Sequence, residues 1–379
     1  MASLAGRRTA VVGGTGFIGS HLIEHLVAEG ADVLAVARTP ARLMHLASVH
    51  ADCAVAIADV CDPEALRRVF RRWRPDVVFH LAAHPDASES FEHVADCVRI
   101  NGLGLVNVLQ AAAISGVEVF VYGGSAKDYG NSGVPYRASQ VPNPVCSYAM
   151  VKATGWQLCQ LVASFTDLNV VALRPTLVYG PRQNRNIITY VHECVTAGRP
   201  VRLMGGSQTR DPLYIDDAVN AFALAATEPR AWGHAIPIGG GQELSVSTLC
   251  EAVIAALGAN AKVLAGAEQS RLTEIWRSSS DNVDALRLIG WEPRVTLAEG
   301  LARTVAARLA DASPVARPPG AAVPGYYIVS GPDGVPFRMV DRRELTDRRS
   351  LPRGGRRASD VVVGVSEDAS MAASLAEVL

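Results

Sequence analysis

Apolar positions between residues 8 and 120 fall into short continuous runs separated by longer amphipathic stretches. "TAVVGG" predicts a strand, "FIGSHLIEHLVAEG" a helix, "DVLAVA" a strand and "PEALRRVFRRW" a helix. "PDVVFHLAA" then predicts a strand, "NGLGLVNVLQAAAISG" a helix and "VEVFVYGG" another strand. These strands are apolar at nearly every position, which is the pattern of a sheet covered on both faces. Their alternation with helices predicts an α/β fold with a doubly wound parallel sheet.

A helix over 147–165 and a buried strand, "NVVALRP", extend the series. After about residue 180 the pattern changes to mixed loops and helices, read as a smaller substrate-facing lobe over 181–312. Within it, "DPLYIDDAVNAFALAAT" and "AIPIGGG" look like a helix and a strand that return to the first domain (1–180) near residues 211–240, making the lobe discontinuous. "SPVARPPGAA" begins a Pro/Arg-rich linker and tail over 313–379. The arginine pairs of "DRRELTDRRSLPRGGRRASD" alternate with acids, so a solvated segment is expected there rather than a nucleic-acid site.

Composition narrows the class. Hydrophobic residues make up 49% of the 379 and charged residues 19%, a soluble globular balance. A formal net charge of −1 offers no global basic surface to nucleic acid or to an anionic membrane. The opening "MASLAGRRTAVVGG" runs straight into a strand without a secretory apolar segment. No apolar run is expected to approach the ~18 residues of a membrane span. Seven cysteines lie in apolar segments with neither C-x-x-C nor metal-ligand spacing, as reduced packing residues in a reducing cytoplasm would. Cys146 stands apart because it precedes Tyr148 by two residues.

"VVGGTGFIGSHL" sets Gly13, Gly16 and Gly19 between a predicted strand and helix. Glycines there permit a tight turn, close backbone approach to a pyrophosphate and close helix–strand packing, and the helix N-terminus faces the phosphates. Phe17 and Ile18 lie in the same turn. A dinucleotide site of Rossmann type follows. At the end of the next strand, "DVLAVARTPAR" carries Ala37 and Arg38 where NAD sites carry an acid. A guanidinium suits a 2′-phosphate, so Arg38, with Thr39 or Arg42 near it, points to NADP(H); the bland alternative is an exposed strand-end arginine. Asp59, in "IADVCD" beside Val60, is placed to bind the adenine amino group, whereas Asp62 is placed to cap the helix starting at Pro63.

Lysine usage sharpens the remaining chemistry. Of 36 Lys+Arg, three are lysine: Lys127, Lys152 and Lys262. A chance Tyr-x-x-x-Lys is then expected roughly 0.07 times, yet "SYAMVKATG" contains one, Tyr148 and Lys152. Residues at i and i+4 share a helix face, so spacing alone leaves a catalytic pair and ordinary helix neighbours both open. Free tyrosine, with a pKa near ~10, is a poor base at neutral pH, and a nearby ammonium favours the phenolate. Ser125 lies just after a predicted strand, at the carboxyl edge where open α/β sheets bind ligands.

Those residues carry a family resemblance. "GGTGFIG", "HLAA", "NGLGLVNVL", "SAKDYG", "YAMVK", "LRPTLVYGPRQ", "QTRDPLYIDD" and "IGWEP" occur in the order seen in extended short-chain dehydrogenases/reductases of the nucleotide-sugar epimerase/dehydratase group. The likeness covers about residues 8–312. It implies Ser125, Tyr148 and Lys152 as catalytic residues, with Leu81, Ala82, Ala83, Asn101 and Pro175 in the cofactor site. It implies that Arg210 and Arg271 bind a nucleotide diphosphate, and that Glu274 takes the nucleoside ribose. It also implies a homodimer formed through a helical face.

Departures from the family pattern matter too. Leu177 stands where relatives place an asparagine near the diphosphate. Ala126 and Lys127 replace the Asp-Glu pair of 4,6-dehydratases, which argues against water elimination. Lys127 is instead expected to meet an anionic or carbonyl part of the substrate, the alternative being a solvated loop lysine. The expected activity is therefore NADP(H)-linked, with NAD as the alternative cofactor: epimerisation of a nucleotide sugar or reduction of a 4-keto sugar. Reduction of a non-nucleotide ketone, or a non-catalytic NADP-binding regulatory role, are the other readings.

Overall fold

The computed structural model describes residues 3–49, 51–85, 90–184, 186–268, 273–312 and 337–338. Its first half runs β1 (Arg8–Val12), α1 (Phe17–Ala28), β2 (Asp32–Ala37), β3 (Cys53–Ile57), α2 (Pro63–Trp73), β4 (Val77–His80), α3 (Phe91–Cys97), α4 (Gly104–Ile114), β5 (Val119–Gly123) and α5 (Ser147–Ala163). The second half continues β6 (Asn169–Pro175), β7 (Leu177–Tyr179), α6 (Ile187–Thr196), β8 (Val201–Met204), β9 (Thr209–Arg210), β10 (Pro212–Tyr214) and α7 (Ile215–Thr227). It ends with β11 (Ala235–Ile238), β12 (Leu244–Ser245), α8 (Val246–Ala256), β13 (Val263–Glu268), α9 (Val283–Ile289), α10 (Leu297–Ala312) and β14 (Phe337–Arg338).

Seven strands form a parallel sheet in the order β11-β6-β5-β4-β1-β2-β3, and β14 adds antiparallel to β3. Chain order reverses beside β1, which pairs with both β2 and β4, so a crevice opens beyond their carboxyl ends. Successive strand residues feed opposite cores. Val11, Val33 and Ala35 pack with α1 and α7, while Ala10, Val12, Leu34 and Val36 pack with α2, α4 and α5. That division explains why the strands read as continuous apolar runs.

Local signals fix the ends of several elements. Asp62 caps α2 by accepting from the Ala65 N–H at 3.0 Å, with Pro63 at the first helical position. Arg71 and Arg72 lie in its last turn, where the helix dipole favours cations. "NGLGLVNVLQAAAISG" is one part of a longer helix than its pattern predicts. Helical structure begins at Phe91 and passes through a π-helical turn, Val98–Leu103, before α4. The resulting Phe91–Ile114 helix is long and apolar enough to cross a membrane by length and composition, contrary to the expectation that no such run exists. Leu105, Val108 and Leu109 on its inner side are fully buried in the sheet core.

In the second half, β11 pairs with β6 and α7 packs on α1. Three two-stranded sheets surround them: β10 with β7, β12 with β9, and β13 with β8. Except for β14, the tail beyond residue 312 lies outside the described residues, as does Arg271.

Candidate active site

The glycine turn is a cradle defined by missing side chains. Gly13 has φ +88°, and a Cβ there would sit 2.6 Å from the Ala82 nitrogen. A Cβ on Gly19 would lie 2.3 Å from the Gly13 carbonyl oxygen, so the first turn of α1 rides directly on the loop. Gly16 caps α1 without any side-chain hydrogen bond, and no acid occupies the first turn. The helix therefore presents unsatisfied N–H groups and its positive end to the crevice, as a pyrophosphate requires. Phe17 and Ile18 begin that helix, both half-buried.

Around this cradle the other predicted cofactor residues gather in two groups. Leu81, Ala82 and Ala83 follow β4, with the Leu81 N–H donating to the Val12 carbonyl at 2.8 Å. Asn101, buried in the π-helical turn, fastens the end of that segment. Its Oδ1 accepts from the His84 N–H at 2.6 Å and its Nδ2 donates to the His84 carbonyl at 3.1 Å. Asp59 follows β3 and accepts from the Cys61 N–H at 2.8 Å, while Val60 is buried against Gly104 of α4. Arg38 is exposed at the end of β2. Pro175 is buried at the end of β6. The side-chain-free turn and the uncapped N-terminus of α1 fit a dinucleotide's pyrophosphate.

Two chain segments converge at Tyr148. α5 supplies Tyr148 and Lys152, and the turn after β5 supplies Ser125, whose hydroxyl accepts from the Lys127 N–H at 3.2 Å. Lys152 Nζ lies 5.9 Å from the Tyr148 ring centroid, and Lys127 Nζ lies 5.7 Å from it. Lys152 is 3% exposed and donates to the Gly123 carbonyl at 2.6 Å; its Nζ also lies 5.0 Å from the Tyr122 ring centroid. Lys127 is exposed. Close packing of α5 on β5 makes this possible: at Gly155 a Cβ would meet the Tyr122 hydroxyl at 2.3 Å, and that hydroxyl donates to the Lys152 carbonyl at 3.2 Å.

Electrostatics in the protein alone differ from the simple tyrosine–ammonium picture. Burial raises the Tyr148 pKa above its ordinary value, the Asp128 charge adds to it, and a hydrogen bond with Ser125 pulls the other way. Burial lowers Lys152 from its ordinary value to about 8, against the opposing pull of Asp128. Desolvation is thus the largest influence on both residues.

Beneath the Ser125 turn lies an ion pair that the sequence pattern did not single out. Asp128 is fully buried, and its Oδ2 accepts from Arg174 Nε at 3.0 Å; Arg174, on β6, is 2% exposed. Arg174 Nη1 also donates to the Tyr129 hydroxyl at 3.0 Å. The usable signal was an acid inside "SAKDYG", a turn otherwise bound for the core.

The predicted substrate residues divide. Arg210 and Glu274 come together as a pair, Nη2 to Oε1 at 2.5 Å, and Arg210 Nη1 donates to the Ile275 carbonyl at 2.8 Å. Arg277, three residues beyond Glu274, forks onto Glu243 at 2.7 and 2.8 Å, and those hydrogen bonds hold the Glu243 carboxyl down at about 2. The 274–280 segment is tied to the loop after the Ser125 turn. Asn131 Nδ2 donates to the Glu274 carbonyl at 2.9 Å, and the Tyr136 hydroxyl donates to the Arg277 carbonyl at 2.8 Å. Buried Asp211 accepts from the Ser280 N–H at 3.0 Å and the Gln242 N–H at 3.2 Å. Asn131, Tyr136, Asp211 and Glu243 escaped sequence reasoning because their partners are distant in the chain.

Comparison with known proteins places this geometry in context. The NAD dependent epimerase/dehydratase family matches residues 9–239. A UDP-glucose 4-epimerase of Mycolicibacterium smegmatis is 33% identical over 310 residues, covering 79% of this chain and 97% of the relative. Among solved structures, the UDP-glucose 4-epimerase of Thermotoga maritima with UDP-glucose superposes with TM-score 0.74 at 28% identity, covering 80% of this chain and 99% of that one. The Thermus thermophilus UDP-glucose 4-epimerase in complex with NAD gives TM-score 0.72 at 29% identity, covering 79% and 98%.

Proposed function

The chain belongs to the NAD dependent epimerase/dehydratase family of extended short-chain dehydrogenases/reductases, and we propose that it epimerises a nucleotide-linked hexose at C4. The observation that carries this reading is the convergence of Ser125, Lys127 and Lys152 on the Tyr148 ring beside the glycine cradle. A nicotinamide dinucleotide held there would supply a reversible hydride acceptor for the sugar carbon. Gly13, Gly16 and Gly19 accommodate its pyrophosphate, with Leu81, Ala82, Ala83, Asn101 and Pro175 along its path. Arg38 in place of a carboxylate supports acceptance of NADP(H), although the Thermus thermophilus relative holds NAD.

Tyr148 removes the proton from the sugar oxygen and restores it, and Ser125 orients that oxygen. Lys152 supplies the positive charge that favours the phenolate. Lys127, exposed and with its Nζ 5.7 Å from the ring centroid, meets a carbonyl or anionic group of the sugar. Arg210 and Glu274 leave their pairing to contact the nucleotide, Arg210 at the diphosphate and Glu274 at the ribose; Arg271 is assigned to the same diphosphate. Ala126 and Lys127 leave the turn without the acids that elimination needs, which supports epimerisation over dehydration. A homodimer through α4 and α5 is supported by exposed Val106, Met150 and Leu161 on those helices.

Incubating the protein with UDP-glucose and other UDP- and dTDP-hexoses tests the reading by product stereochemistry and by nicotinamide absorbance. Appearance of the C4 epimer with no net absorbance change is the expected result. Net NADPH consumption with a 4-keto sugar would assign reduction, the second reading that Arg38 supports. Absence of both, with no thermal shift from any nucleoside diphosphate, would exclude a nucleotide sugar.

A further inference from the structure

Arg182 lies in the loop between β7 and α6, and the reaction proposed above gives it no role. Its backbone holds φ +65°, a left-handed conformation uncommon for such a residue, and strain of this kind persists only where the surroundings enforce it. Here the constraint is a fork. Arg182 Nη1 and Nη2 donate to the two Glu24 carboxylate oxygens on α1 at 2.9 and 2.6 Å, and Nη1 also donates to the His45 carbonyl at 2.8 Å. Both side chains are half-buried, and a guanidinium paired this way fixes geometry as well as charge. Burial opposes the Glu24 charge, yet the hydrogen bonds from Arg182 and Ser48 bring its carboxyl below the ordinary value.

His45 and Ser48 belong to a strap, residues 39–48, that starts directly after Arg38 and contains the 3-10 turn Pro40–Leu46. The Ser48 hydroxyl donates to Glu24 Oε1 at 2.5 Å. His45 Nδ1 lies 3.0 Å from the Thr15 carbonyl, and because a carbonyl only accepts, that nitrogen carries the hydrogen. Thr15 is part of the glycine turn, so the strap is tied to α1 on one side and to the cofactor cradle on the other. The loop that bears Arg182 is itself anchored. Arg308 of α10 donates to the Gln183 carbonyl at 2.5 Å, and Asn186, which caps α6, donates to Gln183 Oε1 at 2.7 Å. Arg182 therefore reaches the strap from a fixed base.

We infer that Arg182 is a positioning residue for the adenosine half of the dinucleotide, holding the 39–48 strap against α1 and, through His45, against the glycine turn. The inference rests on the dinucleotide placement proposed above and not on which sugar is turned over. The strap begins where the adenosine ribose and its 2′ substituent would meet Arg38. Untethered, it would have to be ordered at each binding event, and that ordering weakens affinity. With the fork in place, the strap is set before the dinucleotide arrives. A residue of the loop leading into the substrate lobe thus conditions how the cofactor is held.

Arg182→Asn tests this directly, because asparagine tolerates the left-handed backbone but is too short to fork onto Glu24. Calorimetric titration of the intact chain with ADP-ribose should show affinity about tenfold weaker in Arg182→Asn than in the parent. Arg182→Lys, which keeps the charge, should recover part of that loss. Amide hydrogen exchange over residues 39–48 should quicken in Arg182→Asn while β5 and α5 keep their parental rates, whereas a merely structural defect quickens exchange throughout. If Arg182→Asn does not fold, Glu24→Gln opens the same fork from the α1 side and carries the same expectation. Parental ADP-ribose affinity in the folded variant overturns the inference. So does weaker affinity with exchange unchanged at 39–48, or quickened evenly along the chain. A parent protein that does not bind ADP-ribose would refute the dinucleotide placement itself, so the two failures are distinguishable.

Discussion

Two turns at the carboxyl edge of one sheet are built by opposite means. The turn after β1 is made of absences: at Gly13 and Gly19 any Cβ would strike backbone, and at Gly16 one would press on the Gly13 carbonyl oxygen at 3.1 Å. The turn after β5 is made of side chains: Ser125 faces the reacting centre, and Asp128 beneath it pairs with Arg174. The first presents backbone dipoles, which suit a constant part of a cofactor. The second sets charges against one another in a dry interior, which suits chemistry that depends on where a proton sits. Backbone cradles thus bind what never changes, and buried side-chain networks adjust what does.

The contrast predicts different failures. Tyr148→Phe should lower kcat by about 10²- to 10⁴-fold while dinucleotide binding, followed by fluorescence titration, is retained. Arg174→Met should cost about 3–5 kcal/mol in denaturant unfolding, because it strands the Asp128 carboxylate; adding Asp128→Asn should recover much of that loss. Recovery would identify the second turn as held by charge balance rather than by shape. Gly13→Ala should do the reverse of Tyr148→Phe, abolishing dinucleotide binding and destabilising the fold by about 1–3 kcal/mol, since the residue has φ +88° and no space for a methyl. Smaller still, Arg38→Ala should lower the ratio of NADPH to NADH affinity about tenfold or less, leaving the sum of the two nearly intact. An unchanged ratio would remove the argument for a 2′-phosphate contact. Lys127→Ala should raise the Michaelis constant for the sugar a few-fold; unchanged KM and kcat together would leave it a solvated lysine.

The same contrast governs what could be read from the chain. Residues whose importance is local announce themselves: the glycine spacing, Asp62 and Pro63 at the start of α2, and the rare lysine one turn beyond Tyr148. The apolar runs gave the parallel sheet because burial on both faces leaves its mark on every strand residue. What stayed hidden depends on pairing across long separations. Asn131 and Glu274 are 143 residues apart, and Arg174 and Asp128 are 46 apart. No periodicity encodes such meetings. The π-helical turn was hidden for another reason, since an apolar helix reads the same whether or not one turn is widened around Asn101. Lys152 shows the limit of chemical intuition from spacing, because the desolvation that decides its charge is invisible until the core is assembled.

Gly155 bears on how this protein could be altered. It lies far enough along α5 to be omitted from any list of cleft residues, yet it fixes the clearance between that helix and the sheet. The Tyr122 hydroxyl occupies the space where its side chain would be. A methyl group there would lift the helix, and with it both Tyr148 and Lys152, and an error of about 1 Å in such a centre can cost about 100-fold in rate. Variant libraries confined to the walls of the cleft would never sample this dimension. A single hydrogen atom therefore acts as the gauge block of the reacting centre, and tolerance for change at position 155 measures how finely the chemistry is machined.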